Sequence, residues 1–276
     1  MHLGYNTNGF AHHRLEDALS ILAELGYTSV AITLDHHALN PFDADCVSQC
    51  ERIRALLETL KLRCVIETGA RFLLDSRRKH QPTLLSVSAA DARRRFDFLL
   101  ACIDIAQRLR ADALSFWSGT PAEATSKHMT SLGAVCRRLA EEAAKRDVRL
   151  AFEPEPGMFI DTMDKFVELY RCVDHPNFGL TLDVGHLHCM GELPIADHIE
   201  RWKDRLWNVH IEDMRRGVHD HLMFGDGEMD FAPIFAALRS IGYAGGVHVE
   251  LSRHSHDAVE TARRALEFMR GVQESK

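Results

Sequence analysis

Four ionisable residues each close a short apolar run in the second half of the chain. The runs are RLAFE, FGLTLD, LWNVH and GGVHVE, and their closing residues are Glu153, Asp183, His210 and Glu250. Two glutamates, one aspartate and one histidine favour one divalent metal ion, Mn²⁺ first, with Mg²⁺, Co²⁺ and Zn²⁺ as alternatives. Any one of them alone is as compatible with a strand-end polar group that meets solvent or caps a helix. Their repetition over four consecutive runs favours a shared site.

Further candidates for substrate contacts lie near these runs. His186 follows the second run in LDVGHLH, and His219 and His221 lie one residue apart in a later loop. Two such histidines can converge on one ligand, and a functional role is predicted for His221 but not for His219. Trp117 in SFWSG could cover the face of a sugar ring or pack in the core, and Glu67, at a third strand end, could touch substrate.

Strand-like runs alternate with helical patterns along the whole chain. Strands are predicted at Leu3–Asn6, Ser29–Thr33, Arg63–Glu67, Ala113–Phe116, Arg149–Glu153, Phe178–Asp183, Leu206–His210 and Gly246–Glu250. Helices are predicted at Leu15–Leu25, Val47–Leu60, Ala89–Arg110, Leu132–Arg146, Thr162–Cys172, Phe231–Ile241 and Ala258–Arg270, with a less regular pattern at Ile195–Trp202. Eight successive units predict an α/β fold, a closed (β/α)8 TIM barrel, with an open doubly wound sheet as the alternative. No linker divides the chain, so residues 1–276 are predicted to form one domain.

The alternation of residues along the strands places the ionisable groups inside the barrel. Every second residue of a barrel strand points inward. If Glu250 points inward, so does His248, while the aliphatic Val247 and Val249 face the helices. Asp183 gives the same phase in its own strand, so the candidates are expected at the mouth of the barrel.

Local signals mark the ends of several elements. Gly26 is predicted to stop a helix. Asp230 is predicted as a helix N-cap, with Pro233 in the first turn that follows. The longest stretches without a clear element are Arg71–Ser88 and Asp213–Asp230, both after strand ends, where barrels carry their active sites.

The composition limits the classes of protein. The length of 276 residues suits one barrel, and the net charge of −7 argues against a general binder of nucleic acid or membrane surfaces. Seven cysteines without a CxxC pair are typical of reduced thiols in an intracellular protein. The terminus MHLGYNTNGF resembles no signal peptide, and no apolar run could span a bilayer, so a cytoplasmic location is expected. Barrels of this kind often form homo-oligomers, so one is expected as a possibility here, but the sequence indicates no specific interface.

These motifs resemble the xylose isomerase-like TIM-barrel superfamily of sugar isomerases, epimerases and type IV AP endonucleases. The resemblance covers nearly the whole chain, and its most specific segments are LAFEP, LTLDVGH, NVHIED, HDHLMFGDGEMDF and GVHVEL. Similarity to the branch of ketose 3-epimerases and hydroxypyruvate isomerases implies a metal bound by Glu153, Asp183, His210 and Glu250. It also implies that the two glutamates are the acid/base pair, and that His186 and Arg216 contact the substrate.

The nuclease branch provides a contrast. It has a trinuclear zinc site, with additional histidines at the ends of the third and fourth strands. Thr68 and Trp117 occupy those places here, and His219 and His221 occupy those of a later aspartate–histidine pair. One metal ion and no nucleic-acid partner are therefore expected, with a phosphodiesterase similar to the AP endonucleases as the less favoured alternative.

The implied reaction is proton transfer at a carbon beside a carbonyl, through a metal-stabilised enediolate. Two bases on opposite faces give epimerisation, and one base that returns the proton to the adjacent carbon gives isomerisation. A dehydratase of a keto-cyclitol or dehydroshikimate begins with the same abstraction and stays open, as does a non-catalytic binding protein. A small unphosphorylated sugar or hydroxy-ketone is favoured as substrate. GDGEMD is only a fragment of a phosphate loop, and the basic residues in 71–79 are typical of a solvated loop.

Overall fold

Eight parallel strands form a closed barrel in the computed structural model, which describes residues 1–274. The barrel strands are β1 (His2–Asn6), β2 (Ser29–Thr33), β3 (Arg63–Glu67), β4 (Leu114–Phe116), β5 (Leu150–Phe152), β6 (Phe178–Asp183), β7 (Leu206–Ile211) and β10 (Gly246–Val249). Two further strands, β8 (Asp213–Arg215) and β9 (Val218–Leu222), form a separate sheet. Strands β1 to β7 follow one another around the barrel, and β10 closes it between β7 and β1. The predicted (β/α)8 fold is confirmed.

Helices occupy the connections between the barrel strands. They are α1 (Leu15–Leu25), α2 (Cys46–Leu60), α3 (Ala89–Leu109), α4 (Ser126–Ala144), α5 (Met163–Val173), α6 (Val184–Met190), α7 (Ile195–Arg201), α8 (Ala232–Ser240) and α9 (Ala258–Glu274). Gly26 ends α1 with φ of 102°, as predicted. The fourth helix begins at Ser126 rather than at Leu132, and α6 was not predicted. Among residues 1–274, no helix is long and apolar enough to cross a membrane.

The segment 213–230 differs from its prediction, because it contains an antiparallel hairpin of β8 and β9. Buried Asp213 anchors this segment, since its carboxylate accepts hydrogen bonds from the backbone N–H groups of Gly225, Gly227 and Met229 at 2.8–3.1 Å. The N-cap prediction for Asp230 is wrong, because Phe231 is the N-cap of α8. The segment is therefore an ordered loop fixed to the barrel.

Buried polar side chains face the interior of the barrel, whereas the layer between strands and helices is apolar. His248 is fully buried and contacts Ser29 Oγ through Nε2 and Asn208 Oδ1 through Nδ1, both at 2.8 Å. Val247 and Val249, which alternate with His248, are also fully buried but belong to the large apolar core. This is the inward and outward phase that the sequence predicts.

The absence of a side chain at Gly4 leaves the space that the His248 ring occupies. A Cβ atom at Gly4 would lie 2.2 Å from His248 Cδ2 and 3.1 Å from the Ser29 carbonyl oxygen. The substitution Gly4→Ala should therefore displace the ring and lower the free energy of unfolding by about 1–3 kcal/mol, as overpacking does. Urea denaturation followed by circular dichroism measures this.

Gly271→Ala in α9 is the matched control, since a Cβ there meets nothing within 4 Å. It should leave stability unchanged or raise it by about 0.5–1 kcal/mol, because glycine in a helix is less favourable than alanine. Equal stability of the Gly4→Ala variant and the unsubstituted protein would contradict the role of Gly4.

Candidate metal centre

The four strand-end residues meet at the carboxyl-terminal mouth of the barrel. Glu153, Asp183, His210 and Glu250 each offer a ligand atom, and these atoms all lie within 4.8 Å of one another. His210 Nδ1 lies 2.9 Å from Glu153 Oε1, 3.0 Å from Glu250 Oε2 and 4.0 Å from Asp183 Oδ2. Each of the four residues lies within one position of the carboxyl end of β5, β6, β7 or β10, and the parallel strands bring these ends together.

The geometry of the group fits a divalent ion. Ligand atoms that bind one ion at about 2.1 Å and at right angles lie about 3.0 Å apart. The distances from His210 Nδ1 to the two glutamates match that separation. Within residues 1–274, the buried Asp183 Oδ2 has no hydrogen-bond partner, which a buried carboxylate oxygen normally requires. The donor set and this oxygen both suit a cation.

The electrostatics of the metal-free group follow from burial and from the shared imidazole. Burial alone would lower the pKa of His210, but Glu67, Glu153 and Glu250 outweigh it and hold the pKa well above its usual value. Burial raises the pKa of Glu153 to about 8, even though His210 opposes the shift. At Glu250 the positive imidazole outweighs burial and keeps the pKa well below its usual value. In the metal-free protein, the protonated imidazole of His210 is therefore the positive charge among these carboxylates.

Glu67 contacts His210 on the other side of the ring. Its Oε1 lies 2.9 Å from His210 Nε2 and accepts a hydrogen bond from Asn208 Nδ2 at 3.0 Å. Glu67 also lines the cavity at the mouth, where the sequence places it for a substrate contact.

Three histidines form one wall of the same cavity. His219 Nε2 lies 3.0 Å from His186 Nε2 and 3.2 Å from His221 Nε2. His186 Nδ1 contacts the Pro154 carbonyl oxygen at 3.2 Å, and His221 Nδ1 contacts the Glu250 carbonyl oxygen at 3.1 Å. These three side chains, and the group of Asp183, Glu212 and His221, are further sets whose atoms could hold a metal ion.

The candidate residues surround a cavity of about 240 Å³. Its lining includes Glu67, Trp117, Glu153, His186, His210, His221 and Glu250. One edge of Trp117 meets His80, and one face stacks on the buried guanidinium of Arg95, 4.5 Å from the ring centroid. The indole therefore packs and lines the cavity at the same time.

Sequence reasoning missed several residues of this cavity. Asn8 donates a hydrogen bond from Nδ2 to Glu250 Oε1 at 2.8 Å, across 242 positions of the sequence. Arg71 and Lys79, assigned to a solvated loop, line the cavity, and Arg71 Nη2 also donates to the Asn8 carbonyl oxygen at 2.9 Å. The position of Asn8 just beyond the first strand was the available signal.

Arg216, predicted to contact the substrate, is not among the residues that line the cavity. It is exposed in the turn between β8 and β9 and lies against the position of Gly191 rather than among the lining residues. Two residues of β9, His219 and His221, point into the cavity, so the turn that carries Arg216 faces solvent.

Comparisons with known proteins agree with this fold. The family model for the xylose isomerase-like TIM barrel matches residues 19–272. Inosose dehydratase from Lacticaseibacillus casei is 29% identical over 130 residues, which cover 41% of this chain and 43% of that protein. L-ribulose 3-epimerase from Methylomonas sp. is 28% identical over 170 residues, which cover 54% and 57%. The chain thus spans about half the length of these curated relatives.

The solved structure of IOLI protein with a bound zinc atom has a TM-score of 0.79 at 18% identity, over 99% of this chain and 98% of that one. A likeness at this identity shows the shared fold. The family model covers most of the chain, from the first helix to the last, and includes each of the four converging residues. The chain belongs to the xylose isomerase-like TIM barrel family.

Proposed function

We propose that the chain is a metal-dependent isomerase or epimerase of a small sugar or hydroxy-ketone, acting at a carbon beside a carbonyl. The observation that carries this proposal is the placement of Glu153 and Glu250 on one imidazole nitrogen, at 2.9 and 3.0 Å, with both side chains lining one cavity. Two carboxylates around one centre are suited to act on opposite faces of a substrate. The epimerase and dehydratase relatives support this class of chemistry.

One divalent ion, Mn²⁺, is proposed at the centre. Three carboxylates and one imidazole are a hard donor set, and Glu153, Asp183, His210 and Glu250 supply it. Such an ion would polarise the carbonyl and stabilise the charge that develops as the proton leaves.

Glu250 is proposed as the base that removes the α-proton. Its side chain is 19% exposed, against 6% for Glu153, so it is the more accessible of the two. Asn8 donates a hydrogen bond to Oε1, and the bound ion would keep the carboxyl ionised, as protonated His210 does in the metal-free protein, where it lowers the Glu250 pKa despite burial. Glu153 then serves the opposite face. Delivery of a proton from Glu153 to the same carbon gives epimerisation and leaves the abstracted proton on Glu250, whereas return of that proton by Glu250 to the adjacent carbon gives isomerisation.

The histidine wall is proposed to orient the hydroxyl groups of the substrate. Burial lowers the pKa of His186 to about 4, so this imidazole is neutral at pH 7. A neutral imidazole can donate or accept a hydrogen bond, which suits hydroxyl groups better than a charged group. His221 and Trp117 complete the proposed substrate contacts.

A dehydratase is the second candidate, and the match to inosose dehydratase favours it. Elimination begins with the same α-proton but then expels a hydroxyl group as water. Mass spectrometry separates the outcomes, since an isomerase keeps the mass of its substrate and a dehydratase product lacks one water. A nuclease is not proposed, because Thr68 donates its hydroxyl to the Ser115 carbonyl oxygen and Trp117 stacks on Arg95.

Replacement of the proposed base tests the reaction. Glu250→Gln should lower solvent deuterium incorporation at the carbon beside the carbonyl by at least about 100-fold, the usual contribution of a positioned base. The assay incubates the Mn²⁺-loaded protein in D₂O with ketoses, α-hydroxy-ketones and keto-cyclitols and detects exchange by NMR. Metal binding should weaken but stay measurable.

Glu228→Gln is the control, because this carboxylate is 53% exposed and lies outside the cavity. It should leave exchange unchanged. Full exchange by the Glu250→Gln variant would show that Glu250 is not the base. Absence of exchange by the unsubstituted protein with every compound would remove support for the reaction class.

Metal affinity should rise with pH between 6 and 8. The metal-free protein keeps protons on His210, whose pKa is raised by the surrounding carboxylates, and on Glu153, whose pKa burial raises to about 8. An ion must displace them, so apparent affinity should increase up to about tenfold per pH unit for each proton released. Above about pH 8 Glu153 is already deprotonated in the metal-free protein, so it no longer contributes to the pH dependence of metal affinity. Chelator competition and calorimetry in buffers of different ionisation enthalpy measure both effects, and a flat profile would contradict the assignment.

A further inference from the structure

The contact between Glu67 and His210 fixes where the imidazole carries its proton. Glu67 Oε1 lies 2.9 Å from His210 Nε2, and both side chains are almost fully buried. An ionised carboxylate can only accept hydrogen bonds. Because two bare acceptors at this distance would repel each other, the proton of the contact lies on Nε2.

Asn208 supports this orientation from the next residue layer of the barrel. It lies close to both Glu67 Oε1, at 3.0 Å, and His210 Nε2, at 3.1 Å. Since Nε2 carries a proton, the amide group of Asn208 donates to Glu67 and not to His210. In this orientation Asn208 Oδ1 faces His248 and accepts a hydrogen bond from the His248 Nδ1–H group at 2.8 Å.

The chain of hydrogen bonds ends at β2. With its proton on Nδ1, His248 accepts the Ser29 hydroxyl at Nε2, at 2.8 Å. Each contact from Ser29 to His210 therefore joins one donor to one acceptor, and the series ends on the Glu67 carboxylate. Satisfied buried networks of this kind hold their members in one arrangement.

We propose that Glu67 is a positioning residue for the metal centre, which holds the proton on His210 Nε2 and leaves the Nδ1 lone pair for the ion. This inference rests on the proposed function and assigns Glu67 a role that needs no contact with the ion or the substrate. A carboxylate behind a ligating histidine orients the ring and makes it a stronger ligand. Nδ1 is the nitrogen that faces Glu153 and Glu250.

Metal binding in the absence of substrate tests the proposal. Co²⁺ is titrated into the metal-free protein against a competing chelator, and its visible absorption reports occupancy. Glu67→Ala should weaken Co²⁺ binding by about 10- to 100-fold, the usual cost of removing such a partner. Glu67→Gln keeps an acceptor of the same size without the charge and should recover part of that loss.

Glu155→Ala is the matched control, because it removes a carboxylate from the same cavity but has no hydrogen bond to His210. It should weaken Co²⁺ binding less than Glu67→Ala does. A second readout is the exchangeable imidazole N–H of the Co²⁺-loaded protein, visible as a hyperfine-shifted proton resonance. Glu67→Ala should speed its exchange with solvent, whereas a purely structural role would leave it unchanged in a folded variant.

The possible outcomes are distinct. Equal Co²⁺ affinity in the Glu67→Ala and Glu155→Ala variants would overturn the positioning role while the metal centre stands. Failure of the unsubstituted protein to bind Co²⁺ would overturn both the centre and this inference. If Glu67→Ala does not fold, the Glu67→Gln variant decides, because unchanged affinity and unchanged N–H exchange there would count against the carboxylate.

Discussion

The imidazole of His210 is the contact on which the site depends, because it separates carboxylates that would otherwise repel one another. Glu67, Glu153 and Glu250 all approach within 3.0 Å of its two nitrogens. Like charges about 4 Å apart cost about 4 kcal/mol per pair at an effective dielectric constant of 20. A cation among them offsets that cost. The surrounding carboxylates raise the pKa of His210, so its extra proton supplies one positive charge in the metal-free protein, and a divalent ion would supply more charge at the same place.

The barrel stabilises such a buried charged group because hydrogen-bonded side chains lie inside the strands, while a large apolar layer lies outside them. The hydrogen bonds from Ser29 to Glu67 run across the barrel interior, so Ser29, His248, Asn208 and Glu67 are all hydrogen-bonded there. The layer of aliphatic and aromatic side chains around the strands provides most of the apolar burial. Stability and chemistry are thus separated by the alternation of residues along each strand, one set facing inward and the other facing the helices.

The sequence predicted the parts of this arrangement that depend on local periodicity. Strand ends, inward phase and the convergence of Glu153 with Glu250 follow from alternation and from the parallel fold. The hairpin was missed because β9, with the sequence VHDHL, has no buried residue and therefore no apolar run that marks a strand. The Asn8 contact joins residues 242 positions apart, and the exposed position of Arg216 depends on how the hairpin turns. The strand before Asn8 indicates a position at the mouth of the barrel, but the partner of Asn8 and the exposure of Arg216 do not follow from neighbouring residues.

The most direct test of the account is anomalous X-ray diffraction from crystals of the protein grown with Mn²⁺. The account predicts one strong anomalous peak at the mouth of the barrel, about 2.0–2.3 Å from ligand atoms of Glu153, Asp183, His210 and Glu250, with the histidine bound through Nδ1. A saturated crystal with no peak there, or with a peak only among other side chains, would contradict it.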